Sequence, residues 1–185
     1  MGRPSLAEQR RVEICRALQN CVIRNGSYEL TSVKDIAQEA GMAAGMIHHY
    51  FESKDDILLV TAEMVLMDLQ NQLDDVLHIR DAVKRQEQLV ILLDDKSKNR
   101  FYIMLQALAL SMPAVNEMLI SKQKEMRDIL TEMLERRGMA VEVACKEAER
   151  FTFLLCSALT TPEGVQKAAA RRMTAEALQE LFPTT

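Results

Sequence analysis

The distribution of glycine constrains the fold of this chain more than any other feature. Four of the six glycines lie at positions 2, 26, 41 and 45, and the next is Gly138. The first part is therefore divided into short elements, whereas the second can form long helices, with Pro113 the only helix breaker between Gly45 and Gly138. Few aromatic residues and many Leu, Ala, Met, Glu, Gln and Arg residues favour helix over strand. The sequence predicts an all-α fold.

Apolar residues recur at helical spacing along almost the whole chain, and capping residues mark where helices begin and end. The first predicted helix ends before Gly26, and the second begins after Ser32 and ends before Gly41. A third short helix is expected to carry the apolar residues of segment 47–51, and a longer helix begins at Lys54. Three short helices therefore lead into a long one.

The remainder predicts further long helices, about nine helices in all. The polar run at 94–99 is expected to be a loop, and the helix after it is apolar nearly all round, so we expect it to be central. These patterns predict two domains, at 1–53 and 54–185. The predicted boundaries of the later helices are about 54–78, 81–93, 101–112, 113–137, 141–159 and 165–182.

Segment 33–51 carries the pattern of a helix-turn-helix. A small residue at Ala37 lets two helices approach, Gly41 permits the tight turn, and Ile47 fills the gap between them. In such motifs the second helix enters the major groove of DNA. The same three residues are also compatible with a small three-helix core that binds nothing, so the spacing alone leaves both interpretations open.

The residues around this motif carry a more specific likeness. Two runs carry it, Thr31-Ser32-Val33-Lys34-Asp35-Ile36-Ala37 and Ala40-Gly41-Met42-Ala43-Ala44-Gly45-Met46-Ile47-His48-His49-Tyr50-Phe51-Glu52-Ser53-Lys54-Asp55-Asp56-Ile57-Leu58. Together they resemble the N-terminal domain of the TetR/AcrR family of bacterial transcriptional regulators. The likeness covers roughly residues 5–60. It implies a helix-turn-helix domain followed by a helical ligand-binding and dimerisation domain.

The resemblance also implies which residues touch DNA. Phosphate contacts fix the register of a protein on DNA, whereas base contacts read the sequence. Two positions depart from the family pattern, because Ala43 replaces the usual capping serine or threonine and His48 replaces the usual aromatic residue. The implied phosphate contacts are Thr31, Ser32, Tyr50 and Lys54, the base contacts are Ala44, Gly45, Met46 and His48 or His49, and Arg3 is the minor-groove contact.

The helical body suggests two further sites. Methionine at helical spacing is usually core filling, but the resemblance implies an inducer pocket, and we expect a lipophilic or amphiphilic ligand. The apolar width of the last two helices predicts a four-helix interface in a homodimer. The expected pocket residues are Met64, Met67, Phe101, Tyr102, Met104, Met118 and Met126, and the expected dimer residues are Phe151, Leu155, Leu159, Ala169, Met173 and Leu178.

Charge and missing motifs limit the function classes. The net charge is −4, so contact with DNA has to be local, and residues 1–24 hold five arginines against two glutamates. The chain lacks a Gly-rich phosphate loop, a metal-ligand cluster and a nucleophile elbow, which argues against an enzyme, a cofactor or a bound metal. The sequence shows no signal peptide or membrane span, so we expect a cytoplasmic protein.

A ligand-released repressor that binds a double-stranded DNA operator is the function this sequence favours. An activator of the same fold, and a helical protein-interaction module that has lost DNA affinity, are the alternatives.

Overall fold

The computed structural model describes residues 5–162 and 164–183, and the regular secondary structure of those residues consists of α-helices alone. Nine helices lie in the described part of the chain, as the sequence predicts. No helix there combines the length and apolar character that a membrane span requires. The helices are α1 Leu6–Asn25, α2 Val33–Glu39, α3 Ala44–Ile47, α4 Lys54–His78, α5 Ala82–Leu93, α6 Lys96–Leu108, α7 Pro113–Arg136, α8 Val141–Thr160 and α9 Val165–Leu181.

Local hydrogen bonds explain where the first helices begin and end. Ser32 caps α2: its hydroxyl accepts the backbone N–H of Asp35, and the Asp35 carboxylate accepts the backbone N–H of Ser32. Gly26 ends α1 in the left-handed conformation, with φ at 73° and its N–H donating to the Val22 carbonyl. These are the cap and the stop that the sequence predicts.

The contacts divide the chain into two compact units, one up to Val65 and one from Leu66 onward. The sequence placed the division earlier, after residue 53. The start of α4 belongs to the first unit because Lys54 and Asp55 both hydrogen-bond within it, to residues of the loop before α2. Residues of α4 up to Val65 therefore belong to the N-terminal unit, and the rest of α4 belongs to the C-terminal unit.

The N-terminal unit is built on α1, with α2 packed against α1 and α3 packed against α2. Ile14 and Leu18 of α1, Ile36 and Ala37 of α2, and Ile47 of α3 are all buried. Burial of Ala37 and Ile47 agrees with the roles that the sequence assigns to them. The apolar face of α1 thus supports the helix-turn-helix.

The C-terminal unit is a helical body in which α8 packs against α6, α7 and α9, and α9 also packs against α5. Its largest fully buried side chains include Phe101 of α6, Phe151 of α8 and Phe182 after α9. A buried arginine, Arg85, donates to the carbonyls of Ile79 and Phe182, so its charge is satisfied by backbone oxygens.

Three local predictions are wrong. Residues 96–99 are helical and not a loop, because the side chain of Asp95 accepts the backbone N–H groups of Ser97 and Lys98 and so caps α6. The third helix ends at Ile47, before Tyr50 and Phe51. The helix after the polar run is not buried on all sides as its apolar sequence predicted, since Ile103 is exposed, and Leu110 lies beyond its end and is 91% exposed.

Candidate nucleic-acid interface

The short helix α3 presents one side to the solvent. Ala44, Gly45 and Met46 are exposed, as are His48 and His49 directly after the helix. We call these five residues the α3 surface. Between them, Ile47 is buried and anchors the helix to the rest of the unit. A Cβ atom added at Gly45 would meet no atom within 4 Å, so a partner can approach this backbone closely.

The start of α3 depends on neighbours and not on its own cap. Ala43 occupies the capping position and has no side chain to accept a backbone N–H. The preceding turn is set by Gly41, whose φ is 67°, in the region that favours glycine. A four-residue helix without a side-chain cap is marginal by itself, so α3 is held by the turn and by Ile47.

Thr31 is not available to a phosphate group, contrary to the prediction. Its side chain is buried, with 1% exposed. The hydroxyl donates to the Ser27 carbonyl at 3.0 Å and accepts from Asn25 Nδ2 at 3.2 Å. Ser32, the other predicted contact at this helix end, is exposed. Its hydroxyl also donates to Asp35, and these hydrogen bonds lower the pKa of the Asp35 carboxyl.

Lys54 is likewise engaged inside the N-terminal unit. Its Nζ donates to the carbonyls of Tyr28 and Thr31, both at 3.0 Å, and lies 4.0 Å from the centre of the Tyr28 ring. The Tyr28 hydroxyl donates to Asp55, and burial together with this carboxylate raises the pKa of Tyr28. These contacts fasten the start of α4 to the loop before α2, so the main role of Lys54 is structural and not that of a free phosphate contact.

Arg11 is a residue of this site that sequence reasoning missed. Its guanidinium lies 4.1 Å from the centre of the Phe51 ring and donates to the backbone carbonyl of Tyr50. It therefore fixes the segment that follows the α3 surface. No local signal in the sequence could have shown this, because Arg11 and Tyr50 are 39 residues apart. Tyr50 itself is half-buried, and Arg3 lies outside the described residues.

Arg11→Ala should lower the free energy of unfolding of the N-terminal unit by about 2 kcal/mol, since it removes a charged hydrogen bond and a cation–π contact. Chemical denaturation followed by circular dichroism measures this change. The matched control is Arg16→Ala on the exposed side of α1, which should alter stability by less than about 0.5 kcal/mol. Equal losses in the two variants would contradict the role assigned to Arg11.

Few basic side chains of the N-terminal unit remain free for phosphates. Arg10 pairs with Glu13 and Arg24 with Glu39, each at 2.7 Å. Arg11 and Lys54 are used as described above. Among the described residues up to position 54, the exposed basic side chains without an ion pair or hydrogen bond are Arg16 and Lys34.

The C-terminal unit contains a cavity of about 20 Å³ at the predicted ligand pocket, which is room for about one water molecule. Of the seven predicted pocket residues, Tyr102 and Met126 line it. The prediction is wrong for Phe101, which is sealed in the core, and for Met67, which is exposed. The other three predicted residues, Met64, Met104 and Met118, are half-buried and do not line this cavity.

Polar groups at this cavity come from residues that the methionine pattern did not reveal. Gln123 Nε2 donates to the Tyr102 hydroxyl at 3.4 Å, and that hydroxyl lies 3.5 Å from Cys156 Sγ. Burial is the main cause that raises the pKa of Tyr102. Lys122, paired with Glu125, also lines the cavity. The lining is therefore apolar with a small polar cluster.

Most of the predicted dimer residues lie inside the protomer. Phe151, Leu155 and Leu159 of α8 and Leu178 of α9 are buried by the chain's own helices, so the prediction is wrong for them. Ala169 is half-buried, and Met173 is exposed. The structure adds an exposed aromatic residue on α8, since Phe153 is 72% exposed.

Comparisons with known proteins agree with this arrangement. The sequence model described as bacterial regulatory proteins, tetR family, matches residues 22–61. The transcriptional regulator PksA of Bacillus subtilis is 31% identical over 87 residues, which cover 47% of this chain and 42% of PksA. The matched segment spans less than half the length of PksA and of the curated regulators HbdR of Aromatoleum sp. and BetI of Agrobacterium fabrum. The match to the family model runs from the end of α1 to the first part of α4 and so includes the helix-turn-helix.

Solved structures extend the likeness in fold to nearly the whole chain. A TetR transcription regulator from Haloarcula marismortui has a TM-score of 0.74 at 17% identity, over 94% of this chain and 98% of that one. A transcriptional regulator from Saccharomonospora viridis, in complex with choline, has a TM-score of 0.71 at 20% identity, over 94% of this chain and 96% of that one.

An exposed short helix on a helix-turn-helix, followed by a larger helical unit, is the architecture of the described part of the chain. The relatives that match are described as transcriptional regulators, which agrees with the expectation that the chain is not an enzyme. Residues 22–61 match the TetR-family sequence model, and solved TetR-family structures share the fold of nearly the whole chain.

Proposed function

We propose that the protein binds a double-stranded DNA operator through the α3 surface and represses transcription. The observation that carries this proposal is the exposure of Gly45, Met46 and His48 around the buried anchor Ile47. An exposed glycine allows close approach to base edges, Met46 and Ala44 suit a thymine methyl group, and His48 or His49 can donate or accept hydrogen bonds in the groove. The exposed Ser32 and the half-buried Tyr50 would contact phosphates.

The proposed regulator is a homodimer, because a helix-turn-helix protein places two such helices on two half-sites. The exposed side chains of Phe153 and Met173 support an interface formed by α8 and α9. Apolar side chains of this size are rare on a monomer surface when they are grouped. This interface replaces most of the residues that the sequence pattern suggested.

A small lipophilic ligand that opens the cavity near Tyr102 would release the operator. The ligand would bind more tightly to the conformation that fits DNA less well. It can shift the equilibrium between the two conformations only by as much as its affinities for them differ. The lining has one aromatic ring, which is little for a quaternary ammonium ion, and its one lysine, Lys122, is paired with Glu125. An uncharged lipophile therefore suits this cavity better than choline, which the Saccharomonospora viridis regulator holds.

A gel-shift titration with the DNA upstream of the protein's own gene tests the proposal. A discrete shift, reversed by an excess of unlabelled specific DNA but not of unrelated DNA, supports a sequence-specific regulator. No shift at low salt would identify a protein-interaction module. Reporter expression in a strain lacking the protein distinguishes repression from activation, since expression rises if the protein represses and falls if it activates.

The salt dependence of operator binding should be modest. Arg16 and Lys34 are the free basic side chains described in the N-terminal unit, and Arg3 can add a third in each protomer. A dimer that neutralises four to six phosphates gives a slope of log K against log salt of about −4 to −5. Fluorescence anisotropy between about 50 and 200 mM salt measures the slope. A slope steeper than about −8 would contradict this count of contacts.

A further inference from the structure

The α3 surface lacks the side chains with which proteins usually read a base pair by hydrogen bonds. Arg and Lys make such contacts with guanine, Asn and Gln make them with adenine, and Asp and Glu accept from cytosine. Segment 42–51, which contains α3, includes none of these six residue types, nor Ser or Thr. Sequence discrimination by α3 therefore has to come from its apolar side chains and from the two histidines.

The two histidines can supply only part of this discrimination. His48 and His49 are exposed and follow the last residue of α3. An imidazole N–H that donates to N7 does not distinguish guanine from adenine, because both purines present N7 as an acceptor in the major groove. A histidine contact of this kind selects a purine, and a contact with a phosphate selects no base.

Met46 and Ala44 are the exposed apolar side chains of the α3 surface. Met46 is 43% exposed, and Ala44 is exposed on the other side of Gly45. Because Gly45 has no side chain and a Cβ there would meet no atom within 4 Å, the backbone can approach until both neighbours touch a base edge. The apolar group that the major groove presents is the 5-methyl group of thymine. The apolar part of the α3 surface therefore matches thymine.

Phosphate contacts cannot replace this discrimination. They position a protein on DNA without reading its sequence. The free cations described above, Arg16 and Lys34, lie on α1 and α2. The exposed amide of Gln38 also lies on α2, the helix that crosses the DNA backbone in this motif. The helix that enters the groove is thus the apolar one.

We propose that the operator is recognised chiefly through the 5-methyl groups of thymines, which Met46 and Ala44 contact in each half-site. This inference rests on the proposed entry of α3 into the major groove and adds the base that α3 reads. Each half-site then requires thymine at the positions facing these two side chains, whereas positions facing His48 or His49 accept either purine. Burial of one methyl group is worth about fourfold in affinity.

Deoxyuridine tests the proposal because it removes only the methyl group from thymine. Binding sites are first selected from random duplex DNA with the full chain, and anisotropy titrations then compare their thymine and deoxyuridine forms. Deoxyuridine within the half-sites should weaken binding at least about tenfold, since several methyl groups are lost, and deoxyuridine in the flanking DNA should not. Equal affinity for both forms would overturn the inference but leave DNA binding intact. Failure to select any sequence would overturn the proposed function as well.

5-Methylcytosine gives a second measurement with a different base pair. A selected site with cytosine in place of a required thymine should bind weakly, and 5-methylcytosine at the same position should raise affinity at least about threefold, because it restores the methyl group. No gain from 5-methylcytosine would contradict recognition of the methyl group itself.

Met46→Ala locates the contact on α3. It should reduce the ratio of thymine to deoxyuridine affinity at least about threefold, because the methyl groups lose an apolar neighbour. Lys34→Gln is the matched control on α2: it removes an exposed cation, so it should weaken binding to both forms equally and leave the ratio unchanged. An unchanged ratio in Met46→Ala would overturn the role of Met46. Thermal unfolding like that of the parent chain confirms that both variants are folded.

Discussion

Gly45→Glu is expected to weaken operator binding by at least about a hundredfold without lowering the thermal stability of the chain. Gly45 lies in the middle of the α3 surface, and a Cβ there meets nothing within 4 Å, so the fold accepts a side chain. In the proposed complex that side chain would stand between the helix and the DNA. Its carboxylate would also be repelled by the phosphates. Anisotropy titrations with operator DNA, paired with thermal unfolding, measure both quantities.

Gly45→Ala is the matched control for this prediction. A methyl group adds little volume and no charge, so most of the operator affinity should remain. If Gly45→Glu binds the operator as the parent chain does, α3 does not enter the groove and the proposed DNA contact is wrong. A fall in the melting temperature of Gly45→Glu would show that the residue has a structural role instead.

Substitutions of Phe151 and Phe153, which lie two residues apart on α8, are expected to have different effects. Phe153→Glu should convert the proposed dimer into a monomer with a folded C-terminal unit, because a charge would replace an exposed apolar side chain at the interface. Phe151→Ala should instead lower the free energy of unfolding by about 3 to 5 kcal/mol, because Phe151 is fully buried within the protomer. The first variant changes assembly, and the second changes stability.

Sedimentation equilibrium and chemical denaturation distinguish these outcomes. The parent chain and Phe151→Ala, under conditions where it remains folded, should sediment as dimers, and Phe153→Glu as a monomer of native helix content. If Phe153→Glu remains a dimer at micromolar concentration, the interface lies elsewhere on the chain. If the parent chain is itself monomeric, the proposal of a homodimer fails.

The elements that the sequence predicted well are those fixed by local chemistry. Ser32 with Asp35, and Gly26 after the first helix, act on neighbours a few residues away, so their roles are visible in the sequence. The start of α6 was missed for a related reason. A run of charged residues is typical of a loop, and it hid the cap that Asp95 supplies to the helix.

The candidate interface was predictable where exposure follows helical spacing and not where it depends on distant contacts. Exposure of Gly45 and Met46 around Ile47 follows from the motif. The interaction of Arg11 with Phe51 does not, because it joins segments far apart in sequence. The prediction that Lys54 contacts a phosphate did not account for the Tyr28 and Thr31 carbonyls, which accept hydrogen bonds from its amine and lie 26 and 23 residues away in sequence.

The apolar stripe of α8 shows a more general difficulty. Such a stripe indicates that Phe151 and Leu155 are buried, but it does not reveal whether a helix of the same chain or of a partner covers them. Here the chain's own helices cover them. The apolar surface of α8 that stays exposed, at Phe153, therefore lies on a different side of the helix from the buried stripe.

The helix α3 is held in place by its own buried last residue, Ile47, by the turn at Gly41 before it, and by Arg11, which fixes the segment that follows it. Its exposed residues consequently contribute little to the free energy of unfolding. Descendants of this chain could exchange Ala44, Met46 or His48 freely and acquire new target sites while the scaffold stayed intact. Because different residues determine stability and recognition, the DNA sequence that such a domain recognises could change without loss of its fold.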